Sequence, residues 1–136
     1  MSTNIRASSA NLLAPIALKT QMPLRTDLAE SIVGYRTIIS DILTEKDPRL
    51  LVIIGPCSVH DPVAVKDYAN KLVSLQQKCP NIFFVMRTYF EKPRTRKGWS
   101  GYLHDPDLDG TNNMQAGTQL TRKLLLELAE LGVPCA

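Results

Sequence analysis

No run of apolar residues in this sequence approaches the roughly 20 needed to cross a bilayer. The first 26 residues lack a basic start followed by an apolar stretch, so no secretory leader is expected. Cysteine is scarce: Cys57, Cys79 and Cys135 are the three present. The count is odd and no CxxC spacing occurs. That argues against a disulfide framework and for a reduced, cytoplasmic setting. A strong excess of one charge is missing too. Sixteen basic and 13 acidic residues leave +3, too mild to argue for nucleic acid globally. The charged fraction, 21%, is slightly low, while 44% apolar is ordinary for a globular chain. Disorder over most of the length is therefore excluded. A length of 136 residues leaves room for one domain.

What is present is an alternation of helical and strand patterns. Residues 1–26 mix polar residues and proline, and Pro15 and Pro23 are expected to break any regular element. This segment reads as an extension outside the main fold, either a tail or an arm docked on a partner subunit. A helix is predicted over 28–44, with Asp27 as N-cap and Glu30 at capping-box spacing. Its apolar positions are Leu28, Ile32, Tyr35, Ile39, Ile42 and Leu43. Leu50 to Ile54 is a continuous apolar run ended by Gly55-Pro56, the pattern of a strand buried on both faces of a parallel sheet. Asp61 and Pro62 open a second helix as N-cap and first helical residue. Val65, Tyr68, Ala69, Leu72 and Leu75 mark its apolar side. Ile82 to Met86 is a second buried strand, and a long polar loop covers 88–113. A third helix is predicted over 114–131, with Leu120, Leu124, Leu128 and Leu131 on one face. Gly132 stops it, Pro134 follows, and residues 133–136 look like the start of a third strand.

Such alternation implies a parallel sheet with right-handed crossovers. An open doubly wound sheet and part of a (β/α)8 barrel both fit. A barrel usually takes about 250 residues. Two strands and the stub of a third need neighbours that this sequence does not contain. The chain alone is therefore expected to expose apolar sheet surface and to be marginal or prone to aggregate.

Ligands in α/β folds gather at the C-terminal ends of strands. Two segments lie there: residues 55–61 and residues 87–99. The second places Arg87, Lys92, Arg94, Arg96 and Lys97 within eleven residues. Arginine's planar fork and lysine's compact charge suit phosphate and carboxylate, and Thr95 adds a hydroxyl. This reads as a site for small anionic substrates. A merely solvated basic loop is the plain alternative. A nucleic-acid patch is a third, since Tyr89, Phe90 and Trp99 are interleaved. In the first segment, Cys57 can ligate a divalent metal or act as a nucleophile. His60, three residues on, can contribute. The bland reading makes Cys57 a small structural side chain. Cys79 and Cys135 are read as structural.

Leu50 to Asp61 (LLVIIGPCSVHD) and Met86 to Trp99 (MRTYFEKPRTRKGW) closely resemble the class I 3-deoxy-D-arabino-heptulosonate 7-phosphate (DAHP) synthases of enteric bacteria and yeasts. Gly101 to Asp109 (GYLHDPDLD), Ala116-Gly117 and Arg122 to Leu126 match as well. The resemblance covers about residues 27–136. It implies an α/β fold that is the N-terminal portion of a (β/α)8 barrel, preceded by the 1–26 extension and a helix. It implies a transferase that condenses phosphoenolpyruvate with erythrose 4-phosphate, the first step of the shikimate pathway to aromatic amino acids. It also implies a divalent metal and a homo-oligomer when full length. Residue by residue, Cys57 matches the cysteine metal ligand. Arg87 and Lys92 match the phosphoenolpyruvate contacts, with Lys92 also cast in catalysis. Arg94 and Thr95 match the erythrose 4-phosphate contact. The other metal ligands of the pattern, a His, a Glu and an Asp, lie beyond this sequence. The chain as it stands is therefore not expected to turn over substrate. A non-catalytic remnant that binds a full-length synthase subunit is the alternative.

Overall fold

The computed structural model describes residues 12–93 and 98–136. Six elements follow one another: α1 (Pro15–Gln21), α2 (Thr26–Leu43), β1 (Leu50–Ile54), α3 (Pro62–Lys78), β2 (Ile82–Met86) and α4 (Met114–Glu130). The predicted alternation holds. The first addition to it is α1, in a region where regular structure was not expected. Pro15 starts this helix rather than breaking it. At the first helical position the missing N–H has no partner to lose, and the ring already holds the helical φ.

The start of α2 also differs from expectation. Arg25, not Asp27, is the N-cap, and no side chain caps this end. Asp27 is instead gripped by Arg25, whose Nε and Nη2 lie 3.0 and 2.6 Å from its two carboxylate oxygens. The pair leaves a carboxylate in the first turn, where the helix dipole favours it. The start of α3 is as predicted: Asp61 Oδ1 accepts from the Val63 and Ala64 N–H groups at 2.8 and 3.3 Å, with Pro62 next.

β1 and β2 pair in parallel and in full register, from Leu50 opposite Ile82 to Ile54 opposite Met86. The predicted third strand is present as a bridge, Met86 to Cys135, also parallel. It is made by Met86 N–H to Pro134 O at 2.7 Å and Ala136 N–H to Met86 O at 2.9 Å. Below that bridge the same edge of β2 is closed by a side chain. Gln76 of α3 donates to Ile82 O at 2.7 Å and accepts from Phe84 N–H at 3.0 Å.

The core lies between this small sheet and the pair α3 and α4. Met86, Leu128 and Val59 are its largest fully buried side chains, with Val65, Ala69, Leu72, Phe84 and Leu124 around them. Within α4 the buried stripe is Gly117, Thr121, Leu124 and Leu128. Leu120, placed in that stripe from the sequence, stays 39% exposed. The reason is Gly117, which lies so close to the 102–103 backbone that an added Cβ would meet Leu103 O at 2.1 Å. The helix docks on that face, and Leu120 turns away with it. Leu75 of α3 is likewise exposed, at 41%. Gly132, at φ +79°, ends α4 as predicted; only glycine takes that conformation cheaply. On the other side of β2, Phe83 is covered by Tyr35 of α2 and by Arg49. Among the described residues no helix is long and apolar enough to cross a membrane.

Candidate functional site

Because β1 and β2 are parallel and flush, the residues that follow them leave the sheet side by side. Arg87 N–H donates to Ile54 O at 3.0 Å, and Val59 N–H donates to Tyr89 O at 2.8 Å. These two bonds carry the pairing past the strands and hold the 55–59 turn against 87–89. Gly55 permits it: a Cβ there would sit 2.4 Å from Arg87 O and 2.9 Å from Arg87 N.

Cys57 is exposed at this end of the sheet. Lys92 reaches it. Its ammonium donates to Cys57 O and lies 3.5 Å from Cys57 Sγ. Arg87 lies with its guanidinium carbon 4.1 Å from the centre of the Tyr89 ring, and Lys92 Nζ is 5.7 Å from the same centre. Tyr89 thus gathers two cations. Arg87 and Tyr89, two apart on extended backbone, share a face. Each contact of this kind is worth about 0.5–1 kcal/mol at an exposed site.

The loop backbone fixes where Lys92 starts from. Lys92 N–H donates to Ser100 O at 2.8 Å and Leu103 N–H to Phe90 O at 3.0 Å. Gly101, at φ +111°, lets the two segments touch: a Cβ there would lie 2.6 Å from Phe90 O. Glu91, the one acidic residue between 87 and 99, is engaged by His104 Nε2 at 2.9 Å. Trp99 donates its indole N–H to Asp105 O at 2.8 Å, which anchors the far side of the loop. The outcome is an exposed thiol and two converging cations on a braced loop, an arrangement suited to a small anion.

Of the residues expected in the site, Cys57, Arg87 and Lys92 are brought together. Arg94 and Thr95, with Arg96 and Lys97, lie outside the described residues. His60 is exposed, its Nδ1 3.4 Å from Ser58 O. Among the described residues no group of three or more His, Cys, Asp or Glu side chains can hold a metal ion. A lone cysteine side chain is short of the four ligands a closed metal site takes. The sequence reading did not find Tyr89 as the organiser of the cations, nor the Glu91–His104 pair. The spacing of Arg87 and Tyr89 was the available signal for the first. Nothing local announces the second.

A parallel sheet whose strand ends carry two cations and a thiol defines the general class, an α/β protein. Comparison with known proteins identifies the family. A sequence profile described as the DAHP synthetase I family matches residues 11–134, and the chain belongs to this family. It is 46% identical over 126 residues to the Tyr-sensitive phospho-2-dehydro-3-deoxyheptonate aldolase of Escherichia coli (strain K12), covering 92% of this chain and 35% of that protein. It is 48% identical over 126 residues to the Trp-sensitive enzyme of Buchnera aphidicola subsp. Baizongia pistaciae, covering 92% and 36%. The solved structure of the phospho-2-dehydro-3-deoxyheptonate aldolase of Francisella tularensis SCHU S4 superposes with a TM-score of 0.89 at 41% identity. That match covers 97% of this chain and 39% of the other. The chain thus spans about a third of the length of the curated relatives it matches.

Proposed function

We propose that this chain supplies the first substrate- and metal-binding segments of a 3-deoxy-7-phosphoheptulonate synthase, which condenses phosphoenolpyruvate with D-erythrose 4-phosphate to give DAHP and phosphate. The supporting observation is the meeting of Lys92 with Cys57 from successive parallel strand ends, with Arg87 beside them. In this reading β1, β2 and the Cys135 bridge are the first three strands of a (β/α)8 barrel. Residues 27–136 form its opening part and residues 1–26 an N-terminal extension. The setting is cytoplasmic, and the complete protein is a homo-oligomer.

The chemistry follows from charge. Both substrates carry phosphate and repel one another, so fixed cations lower the cost of bringing them together. Arg87 and Lys92 hold phosphoenolpyruvate, and Arg94 and Thr95 hold erythrose 4-phosphate. Lys92 also stabilises or protonates the negative charge that develops as carbon attacks the aldehyde. Cys57 is one ligand of a divalent metal, which when bound polarises the aldehyde oxygen. With one ligand of that site present, the chain alone does not complete the reaction.

The test joins this chain to the remainder of a curated relative and follows phosphate release from the two substrates. We expect turnover in the chimera and none in the chain alone. Lys92→Ala in the chimera is expected to lose about 10²–10⁴ in turnover while metal binding persists. Unchanged turnover in that variant refutes the role given to Lys92. A second reading, a non-catalytic chain that pairs with a full-length synthase subunit, draws support from the bare edge of β1, where Leu50, Ile53 and Ile54 are exposed. Co-purification with such a subunit separates the two.

A further inference from the structure

We propose that the loop 105–111, which leads into α4, binds a calcium ion. The inference goes beyond the synthase reading and does not depend on it. None of its residues belongs to the strand-end site at Cys57, Arg87 and Lys92.

Two independent observations carry it. The first is the sequence Asp105-Pro106-Asp107-Leu108-Asp109-Gly110. Carboxylates at the first, third and fifth positions with glycine at the sixth are the opening of a D-x-D-x-D-G calcium loop. The later positions follow the same plan in part. Thr111 stands seventh, where a main-chain carbonyl serves, and Asn113 stands ninth as the N-cap of α4. The second observation is the Asp105 side chain. Asp105 is 4% exposed, and its Oδ1 accepts no hydrogen bond among the described residues. Its Oδ2 accepts from Gly110 N–H at 3.1 Å across the loop, so the carboxylate is turned into the loop rather than away from it. A buried carboxylate oxygen without a donor is costly, and a cation satisfies it.

The backbone agrees. Leu108 and Gly110 hold φ of +60° and +78°, which curls the segment around its own carboxylates. The Thr111 hydroxyl and N–H fix Asp109 Oδ1 at 2.7 and 2.9 Å. The three aspartates are not gathered closely enough to hold a metal by side chains alone. Calcium takes roughly six to eight oxygens and draws on main-chain carbonyls and waters as well. Asp107 is exposed, so its carboxylate turns in at no cost to packing. An all-oxygen donor set suits calcium rather than zinc. The twelfth position, a bidentate glutamate in tight loops, is Ala116 here. Affinity is therefore expected at the weak end, a Kd of about 10⁻⁴–10⁻³ M. The ion would also brace the segment behind Lys92. Asp105 N–H donates to Gly101 O at 2.9 Å, and Gly101 is packed against the Phe90–Lys92 backbone.

The experiment uses the 136-residue chain and terbium, a luminescent stand-in for calcium. The single tryptophan, Trp99, donates its indole N–H to Asp105 O at 2.8 Å and serves as the sensitiser. We expect terbium emission on excitation of Trp99, displaced by calcium in the range of the Kd above. Asp109→Asn, at an exposed position, is expected to weaken calcium at least tenfold. Ala116→Glu, which installs the twelfth-position carboxylate, is expected to tighten it at least tenfold, and this gain keeps the test valid if Asp109→Asn fails to fold. Cys57→Ser is expected to leave the signal unchanged. Absence of sensitised emission overturns the proposal, as does emission that calcium does not displace. So does an unchanged affinity in Asp109→Asn or in Ala116→Glu, or loss of the signal in Cys57→Ser, which would place the ion at the strand ends instead.

Discussion

β1 and β2 are both runs of five apolar residues, LLVII and IFFVM, and in isolation they read alike. Their fates differ. In β2, Phe83, Phe84, Val85 and Met86 are all below a tenth exposed. In β1, Leu50 is 62%, Ile53 59% and Ile54 43% exposed. The β1 run was expected to be buried on both faces, and within this chain it is not. Among the described residues, β2 has neighbours on both edges and helices against it, whereas β1 has one edge paired and no strand on the other. Burial is thus a property of position in the sheet. A run of this composition reports what the strand is suited to, not how much of its surface is covered by the residues at hand.

The sharpest way to break that comparison is truncation on both strands. Met86→Ala removes a side chain with no exposure and is expected to cost about 2–5 kcal/mol. Ile53→Ala, on the exposed strand, is expected to stay within about 0.5 kcal/mol. Equal losses in urea titrations would show that β1 is covered in solution, by self-association or otherwise. A middle effect is expected at the seam between the strands. Gly55→Ala drives a Cβ into the Arg87 backbone and should cost about 1–3 kcal/mol, read in the same titrations, with Arg87 and Tyr89 amide resonances shifting most.

The smallest effect concerns the residue that leads into β1 and reaches over to β2. Arg49 lies 5.3 Å over the Phe83 ring and pairs with Asp47 at 2.6 Å. The hydrogen bonds from the Arg49 side chain, and then from its backbone N–H, hold the Asp47 carboxyl below the usual carboxylate range. A carboxyl depressed in the folded state stabilises above its ordinary pKa, and the contribution is lost as pH falls through that value towards the lowered one. Asp47→Asn is therefore expected to flatten a shallow loss of stability between about pH 4 and the acid limit, followed by fluorescence or circular dichroism during acid titration. An unchanged acid limb would mean the pair opens in solution.

Much of this was legible in the sequence because the signals are local. Asp61-Pro62 at a helix start, Gly132 before Pro134 at a helix end, and the pairing of two apolar runs all follow from backbone rules within a few residues. The site was legible in the same way, since strand ends bring Cys57, Arg87 and Lys92 together once the sheet is parallel. What escaped depends on partners the local pattern does not name. Asp27 has the spacing of a cap, and nothing in that spacing shows that Arg25 captures it. Pro15 reads locally as a break, but proline's role depends on where a helix begins. Leu120 fits the apolar period but loses its place to Gly117, whose contact partner is a backbone atom fourteen positions earlier. His104 and Glu91 meet only because Gly101 folds the loop back on itself.

The amide of Gln76 has a further bearing on how the sheet is assembled. By occupying Ile82 O and Phe84 N–H it acts as a doorstop on the outer edge of β2. An incoming strand, from this chain or a foreign one, finds the lower part of that edge already taken and can dock only level with Met86. One side chain thereby sets the starting rung for the next strand and refuses the slipped registers that an unguarded edge would accept. Gln76→Ala would leave both backbone groups open to any passing strand.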